Sequence, residues 1–197
     1  MKSAFILVGG MASRANGLPK YEFTYDGKTF LEKQVEELRL CTDEIFIIGR
    51  NKDQEALIPH FFGVSFIHDI RQGQGPAGGV HAGAWNSGGD YFFITACDMP
   101  FLSCKVISYL FTAAKGYGGA VPFWEDGKYE PLCAVYSRSS VREYYENHQN
   151  RRLSLLIKGI NAKLIPVTDI RNIDPGIDVF VNINDLQSLS SLNEKID

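Results

Sequence analysis

Short β-branched and aromatic runs alternate along this chain with longer stretches of helical period, and that alternation restricts the fold more than any other feature. Residues 3–8 read as a first buried strand, and 45–48, 64–67 and 91–96 as the second, third and fourth. A helix is predicted to start near Phe30, with Leu31, Val35 and Leu38 on one face and capping-box spacing between Thr29 and Glu32. Residues 80–85 also read as helical, and Val106, Ile107, Leu110 and Phe111 mark the apolar face of a later helix. The pattern predicts the α/β class: one doubly wound, Rossmann-like, mostly parallel sheet with helices on both faces.

The second half is less regular. Gly116 to Gly119 is expected to end the helix before a strand at 120–123, followed by a strand at 132–136, helices at 141–147 and 153–157, and a late strand at 179–181. Asp126-Gly127 suits a tight hairpin turn and predicts an antiparallel element at the edge of the sheet. No repeat, low-complexity tract or linker interrupts the 197 residues, so residues 1–197 are expected to form a single domain.

Charge and thiol usage narrow the class of activity. Lys plus Arg is 20 against 23 for Asp plus Glu, a net charge of -3, without the basic excess that nucleic acid attracts. The apolar runs fall short of the ~20 residues of a membrane-spanning helix. The first of them breaks at Gly9-Gly10, too early for an export signal, so no nucleic acid or membrane partner and a cytoplasmic location are expected. Cys41, Cys97, Cys104 and Cys133 lack C-x-x-C spacing and read as free thiols; the four histidines are scattered, and no structural zinc is expected.

In an open α/β sheet, ligands bind beyond the carboxyl ends of the strands. Three loops at such positions carry chemistry. After the first strand comes a glycine-rich segment from Gly9 to Lys20, whose small residues let backbone N–H groups approach an anion while Arg14 and Lys20 add positive charge. It lacks the G-K-[ST] of a P-loop and the third glycine of the dinucleotide fingerprint, and by itself it also reads as a surface loop with two solvated cations. After the fourth strand, Asp98 in Cys97-Asp98-Met99-Pro100 could serve a phosphate-bridging divalent cation, or a turn. Asp69, after the third strand, is equally ambiguous, and the turn Gly75-Pro76-Ala77-Gly78-Gly79 permits close approach of a base or phosphate. Arg151-Arg152 reads either as a phosphate contact or as a solvated corner.

Taken in order, these segments resemble the molybdenum cofactor guanylyltransferases, within the nucleotidyltransferases of Rossmann-like fold. Leu7-Val8-Gly9-Gly10-Met11-Ala12-Ser13-Arg14, with Lys20 after it, is similar to that family's opening motif L-A-G-G-x-S-x-R-M-G and its following lysine. Asp69, Gly75-Pro76-x-x-Gly79, Cys97-Asp98-Met99-Pro100 and Phe180-Val181-Asn182-Ile183-Asn184 resemble the later blocks. The chain departs from the pattern at Ala15-Asn16, where the family has Met-Gly, at the shifted Ser13, and in lacking T-P-E before Asp185-Leu186.

The resemblance implies transfer of GMP from GTP to the phosphate of the molybdopterin cofactor, with release of pyrophosphate and a requirement for Mg²⁺. It implies a GTP-binding half over about 1–115 and an acceptor-binding half over about 116–197. Leu7, Val8, Gly9, Gly10, Lys20, Asn51, Asp69, Gly75, Gly79 and Asp98 would bind GTP, and Asp98 would also hold the metal. Arg14, Lys20 and Asp98 would be catalytic, and Asn182 and Asn184 would face the pterin. The Gly9-Gly10 pair favours guanine, since relatives using CTP tend to carry alanine at the second position. The expected partners are GTP, the molybdopterin cofactor and proteins that deliver or accept it. The alternatives are a relative using CTP or another phosphate acceptor, and a non-catalytic nucleotide- or cofactor-binding protein.

Overall fold

The computed structural model describes residues 1–8, 19–68, 75–149 and 152–183. Its elements, in chain order, are β1 (Lys2–Leu7), a 3-10 turn (Lys20–Glu22), β2 (Thr24–Tyr25), β3 (Lys28–Thr29), α1 (Phe30–Arg39), β4 (Glu44–Gly49), α2 (Lys52–Leu57) and β5 (Val64–His68). There follow α3 (Pro76–Asn86), β6 (Tyr91–Ala96), α4 (Cys104–Ala113), β7 (Gly119–Phe123), β8 (Cys133–Ser137), α5 (Arg138–Asn147), α6 (Leu153–Gly159), β9 (Lys163–Pro166) and α7 (Val167–Ile173).

Seven strands form one sheet in the order β5-β4-β1-β6-β8-β7-β9, and β2 and β3 make a separate small ribbon. β1 pairs in parallel with both β4 and β6, so the direction of winding reverses between β1 and β6. That reversal opens a crevice beyond their carboxyl ends, where ligands of doubly wound sheets bind. The strands bury both faces because side chains alternate. Ala4 and Ile6 of β1 pack with Leu31, Val35 and Leu38 of α1 and Val106, Ile107 and Leu110 of α4. Phe5 points the other way, into the core cluster that also holds Val80 of α3, Val141 of α5 and Leu156 of α6.

Local sequence explains the helix starts that frame the crevice. At α1 the Glu32 N–H donates to Thr29 Oγ1 at 3.2 Å, and the Thr29 N–H donates to Glu32 Oε2 at 2.7 Å, which closes the predicted capping box. At α3 the chain enters through Gly75 at φ 58°, a left-handed conformation that favours glycine, and Pro76 then takes the first helical position.

The second half departs from expectation in three places. The antiparallel element is not at the edge: β8 lies inside the sheet, antiparallel to both β6 and β7, and the edge is β9, parallel to β7. The Asp126-Gly127 turn is present, with the Gly127 N–H donating to Trp124 O at 2.9 Å and a bridge between Phe123 and Tyr129, but it leads from β7 toward the interior strand. No strand forms at 179–181. There the Val181 N–H closes a turn onto Asp178 O at 3.3 Å, and Val179 and Phe180 are buried by core packing, with no strand pairing. The helix before Gly116 already ends at Ala113, and Gly118 and Gly119 lie at the entry to β7: a Cβ on the first would strike the Ile160 carbonyl, and on the second the Val135 carbonyl.

Candidate active site

The end of β1, the start of α2 and the end of β6 surround a cavity of about 560 Å³, a volume suited to a small-molecule ligand. Leu7, Val8, Lys20, Asn51 and Asp98, singled out from the sequence, all line it, together with Arg50, Gln54 and Cys97. Parallel-sheet bonding continues past the strand ends, with the Val8 N–H donating to Ile48 O and the Cys97 N–H to Leu7 O, both at 3.0 Å. These bonds place the residues after β1 and β6 side by side.

Lys20 and Asp98 form an ion pair across the crevice, Nζ to Oδ2 at 2.8 Å, with 29% and 18% of their side chains exposed. The other carboxylate oxygen is held from the C-terminal segment. With its amide nitrogen turned toward Asp98, Asn182 donates to Oδ1 at 2.8 Å and approaches the Asp98 carbonyl at 3.3 Å. The Ile183 N–H donates to that same carbonyl at 2.9 Å. Asn182, read from the sequence as facing the acceptor, therefore touches Asp98 directly.

Asn51 caps α2, its Oδ1 accepting from the Gln54 N–H at 3.0 Å, so one of its polar atoms is committed to the helix. Gln54 in turn donates from Nε2 to Val8 O at 3.0 Å and accepts from the Arg50 N–H at 2.7 Å, tying the end of β1 to the loop after β4. Gln54 escaped the sequence reading; the signal that could have found it is a polar residue three places after an Asx cap. Gly75 adjoins Pro76, which lines the cavity, whereas Gly79 does not line it. A Cβ at Gly79 would overlap the Leu7 side chain, so glycine there lets α3 lie close on β1. Gly9, Gly10, Arg14, Asp69, Arg151 and Asn184 lie outside the described residues.

Electrostatics divides the cavity wall. The Cys97 thiol is pushed up to about 12 by burial first and by the Asp98 carboxylate second, with Lys20 opposing, so it stays neutral and is no nucleophile. Burial also raises the Tyr21 phenol, helped by Glu22 and Cys97 and opposed by Arg50. Lys20 and Asp98, with Arg50 and Asp53, are the ionisable side chains of the lining that can meet a phosphate and a cation.

The donor set can be tested against a divalent metal. Among the described residues no three His, Cys, Asp or Glu side chains cluster as an all-protein cage. A single half-buried carboxylate suits Mg²⁺, which binds through one or two carboxylates plus substrate phosphates and keeps several waters. Among the described residues no helix is long and apolar enough to cross a membrane.

Comparison with known proteins places this geometry. Residues 4–164 match the MobA-like NTP transferase domain. A probable molybdenum cofactor guanylyltransferase of Methanosarcina acetivorans is 35% identical over 201 residues, spanning 97% of this chain and 89% of the relative. The molybdenum cofactor guanylyltransferase of Desulfosudis oleivorans is 31% identical, spanning 98% and 95%. The crystal structure of molybdopterin-guanine dinucleotide biosynthesis protein A from Archaeoglobus fulgidus superposes with a TM-score of 0.82 at 28% identity, covering 100% of this chain and 98% of that one.

Proposed function

The chain belongs to the MobA-like NTP transferase family, and from that premise we propose that it transfers GMP from GTP to the phosphate of the molybdopterin cofactor, in the cytoplasm and with Mg²⁺. The observation that carries this reading is the meeting of Lys20 and Asp98 on the wall of a cavity of about 560 Å³ at the reversal point of the sheet, with Asn182 on Asp98. The names of its relatives supply the guanine and the pterin; the geometry supports the transfer chemistry.

In the reaction, an oxygen of the acceptor phosphate attacks the α-phosphorus of GTP. A P–O bond forms there, the bond to the β-phosphate oxygen breaks, and pyrophosphate leaves with the electron pair. The attacking oxygen is already ionised and needs no general base, so catalysis consists of alignment and charge neutralisation. Lys20 stabilises negative charge on the phosphates. Asp98 would hold the Mg²⁺, which when bound neutralises phosphate charge. Asn182 fixes the Asp98 carboxylate by occupying Oδ1, and Leu7, Val8 and Leu57 give one side of the cavity an apolar lining. Gly9, Gly10, Arg14 and Asp69 are assigned to GTP by the family resemblance alone, and Gly75, Asn51 and Gly79 support the walls of the cavity. Asn182 and Asn184 are assigned to the acceptor by the family resemblance.

The decisive experiment measures pyrophosphate release with GTP, CTP, ATP and UTP, with and without Mg²⁺, in the presence of molybdopterin. Release with GTP alone, lost on omission of Mg²⁺ or in Asp98→Ala, supports the proposal. Release with CTP keeps the transferase and changes its product; nucleotide binding without release identifies a non-catalytic carrier.

A further inference from the structure

Ala96 to Met99 form a tight turn at the end of β6, closed by the Met99 N–H donating to Ala96 O at 3.2 Å. The first and last carbonyls of this turn face the interior of the protein, and one side chain reaches both. Gln34 Nε2 donates to Ala96 O at 2.7 Å and to Met99 O at 2.8 Å. Gln34 sits on the buried face of α1 beside Leu31, Val35 and Leu38 and is itself fully buried, at a position where the helix otherwise carries apolar residues.

A glutamine that merely filled space there would be a poor choice. Its Oε1 is buried with no hydrogen-bond partner among the described residues, a defect that an apolar side chain of similar volume would not have. Reversing the amide would set Oε1 against two carbonyl oxygens, so the turn itself fixes the orientation. What the residue contributes is its pair of N–H groups, and both go to the backbone that flanks Cys97 and Asp98. From the opposite side the same turn is held by Ile183 and Asn182 through the Asp98 carbonyl and carboxylate.

We propose that Gln34 is a positioning residue for Asp98. It touches neither nucleotide nor metal; by pinning the two ends of the turn it sets the direction in which the Asp98 carboxylate meets the nucleotide-bound cation. This rests on the role given to Asp98 above.

The test compares Gln34→Met and Gln34→Glu with the parent and with Asp98→Asn, all as the full chain, by Mn²⁺ titration of the protein in the presence of GTP and by thermal melting. Gln34→Met keeps volume and removes both donors and the orphaned acceptor, so it melts cooperatively while its half-saturating Mn²⁺ rises about tenfold, as expected when two oriented hydrogen bonds are lost. Gln34→Glu, whose buried carboxyl keeps its proton and one donor, falls between. Amide exchange at Met99 speeds up in Gln34→Met even without metal, a readout independent of turnover. A folded Gln34→Met with the parent's half-saturation, alongside an Asp98→Asn that has lost Mn²⁺ binding, overturns the proposal. If Asp98→Asn binds Mn²⁺ and GTP as the parent does, it is the role of Asp98 that fails. Should Gln34→Met not fold, Gln34→Glu decides, and half-saturation equal to the parent's at every pH from about 6 to 9 overturns the proposal.

Discussion

Lys20 Nζ donates to Asp98 Oδ2 at 2.8 Å although 78 positions separate the two residues. The pair ties the segment after β1 to the turn after β6 and sets an ammonium beside a carboxylate on the wall of the cavity proposed to take the nucleotide. Because both side chains are partly exposed, the ion pair contributes little to folding, of the order of 1 kcal/mol or less. Asp98→Ala and Lys20→Met are each expected to lower turnover by about 10²-fold or more while leaving the fold intact. Steady-state pyrophosphate release combined with a melting curve checks this; near-parental turnover in either variant would remove that residue from the chemistry.

Asn182 reaches Oδ1 of the same carboxylate. Asn182→Ala is therefore expected to weaken the protein toward metal and GTP even when no acceptor is present. GTP binding measured by calorimetry with Mg²⁺ and without pterin makes the distinction. An unchanged GTP affinity would confine Asn182 to the acceptor.

Gly79 packs against Leu7, and a methyl group there would overlap the Leu7 side chain. Gly79→Ala should destabilise the domain by about 1–3 kcal/mol through overpacking of α3 on β1. The Leu7→Ala, Gly79→Ala double variant should recover part of that loss, because the two sites are coupled. Urea unfolding of the single and double variants checks the coupling, and additive losses would separate the two sites.

Burial holds the Cys97 and Cys133 thiols neutral up to about 12, against an ordinary value of 9.0. In the unfolded chain both ionise above 9.0, so between 9.0 and about 12 the folded state binds more protons and stability falls as pH rises. The slope is about 1.4 kcal/mol per pH unit for each thiol. Unfolding free energies from pH 8 to about 11 should fall faster in the parent than in a Cys97→Ala, Cys133→Ala variant. Parallel curves would show that other groups control the alkaline limb.

At the acid end, the Glu32 carboxyl lies below its ordinary 4.5 because the backbone and then the side chain of Thr29 hydrogen-bond to it. Its stabilising contribution is present above 4.5 and is lost as pH falls through the lower folded value. Thr29→Ala, which opens the capping box, should cost about 1 kcal/mol near neutrality. That difference should shrink as pH falls below 4.5 and through the lower folded value, where the protonated Glu32 no longer accepts as a carboxylate. A constant difference across the acid range would assign the loss to Thr29 alone.

Strand and helix periodicity, the capping box at Thr29 and the glycine before Pro76 were legible in the sequence because each is written within a few neighbouring residues. The same holds for the alternation of β1, whose odd and even side chains enter different cores. The ordered motifs that resemble a nucleotidyltransferase were legible too, since loops at strand ends carry chemistry in a fixed chain order. Partner choice was not legible. Nothing local distinguishes β8, an interior antiparallel strand, from an edge, or shows that Val179 and Phe180 would be buried by packing in place of joining the sheet. Those outcomes are decided by which neighbours compete for each backbone group once the layers close. For the same reason the sequence could mark Lys20, Asp98 and Asn182 as separate candidates, while only the tertiary structure joins them. It also turns Gln34, one polar residue on an apolar helix face, into the anchor of the Asp98 turn, because buried carbonyls take whichever donor the packing brings within reach.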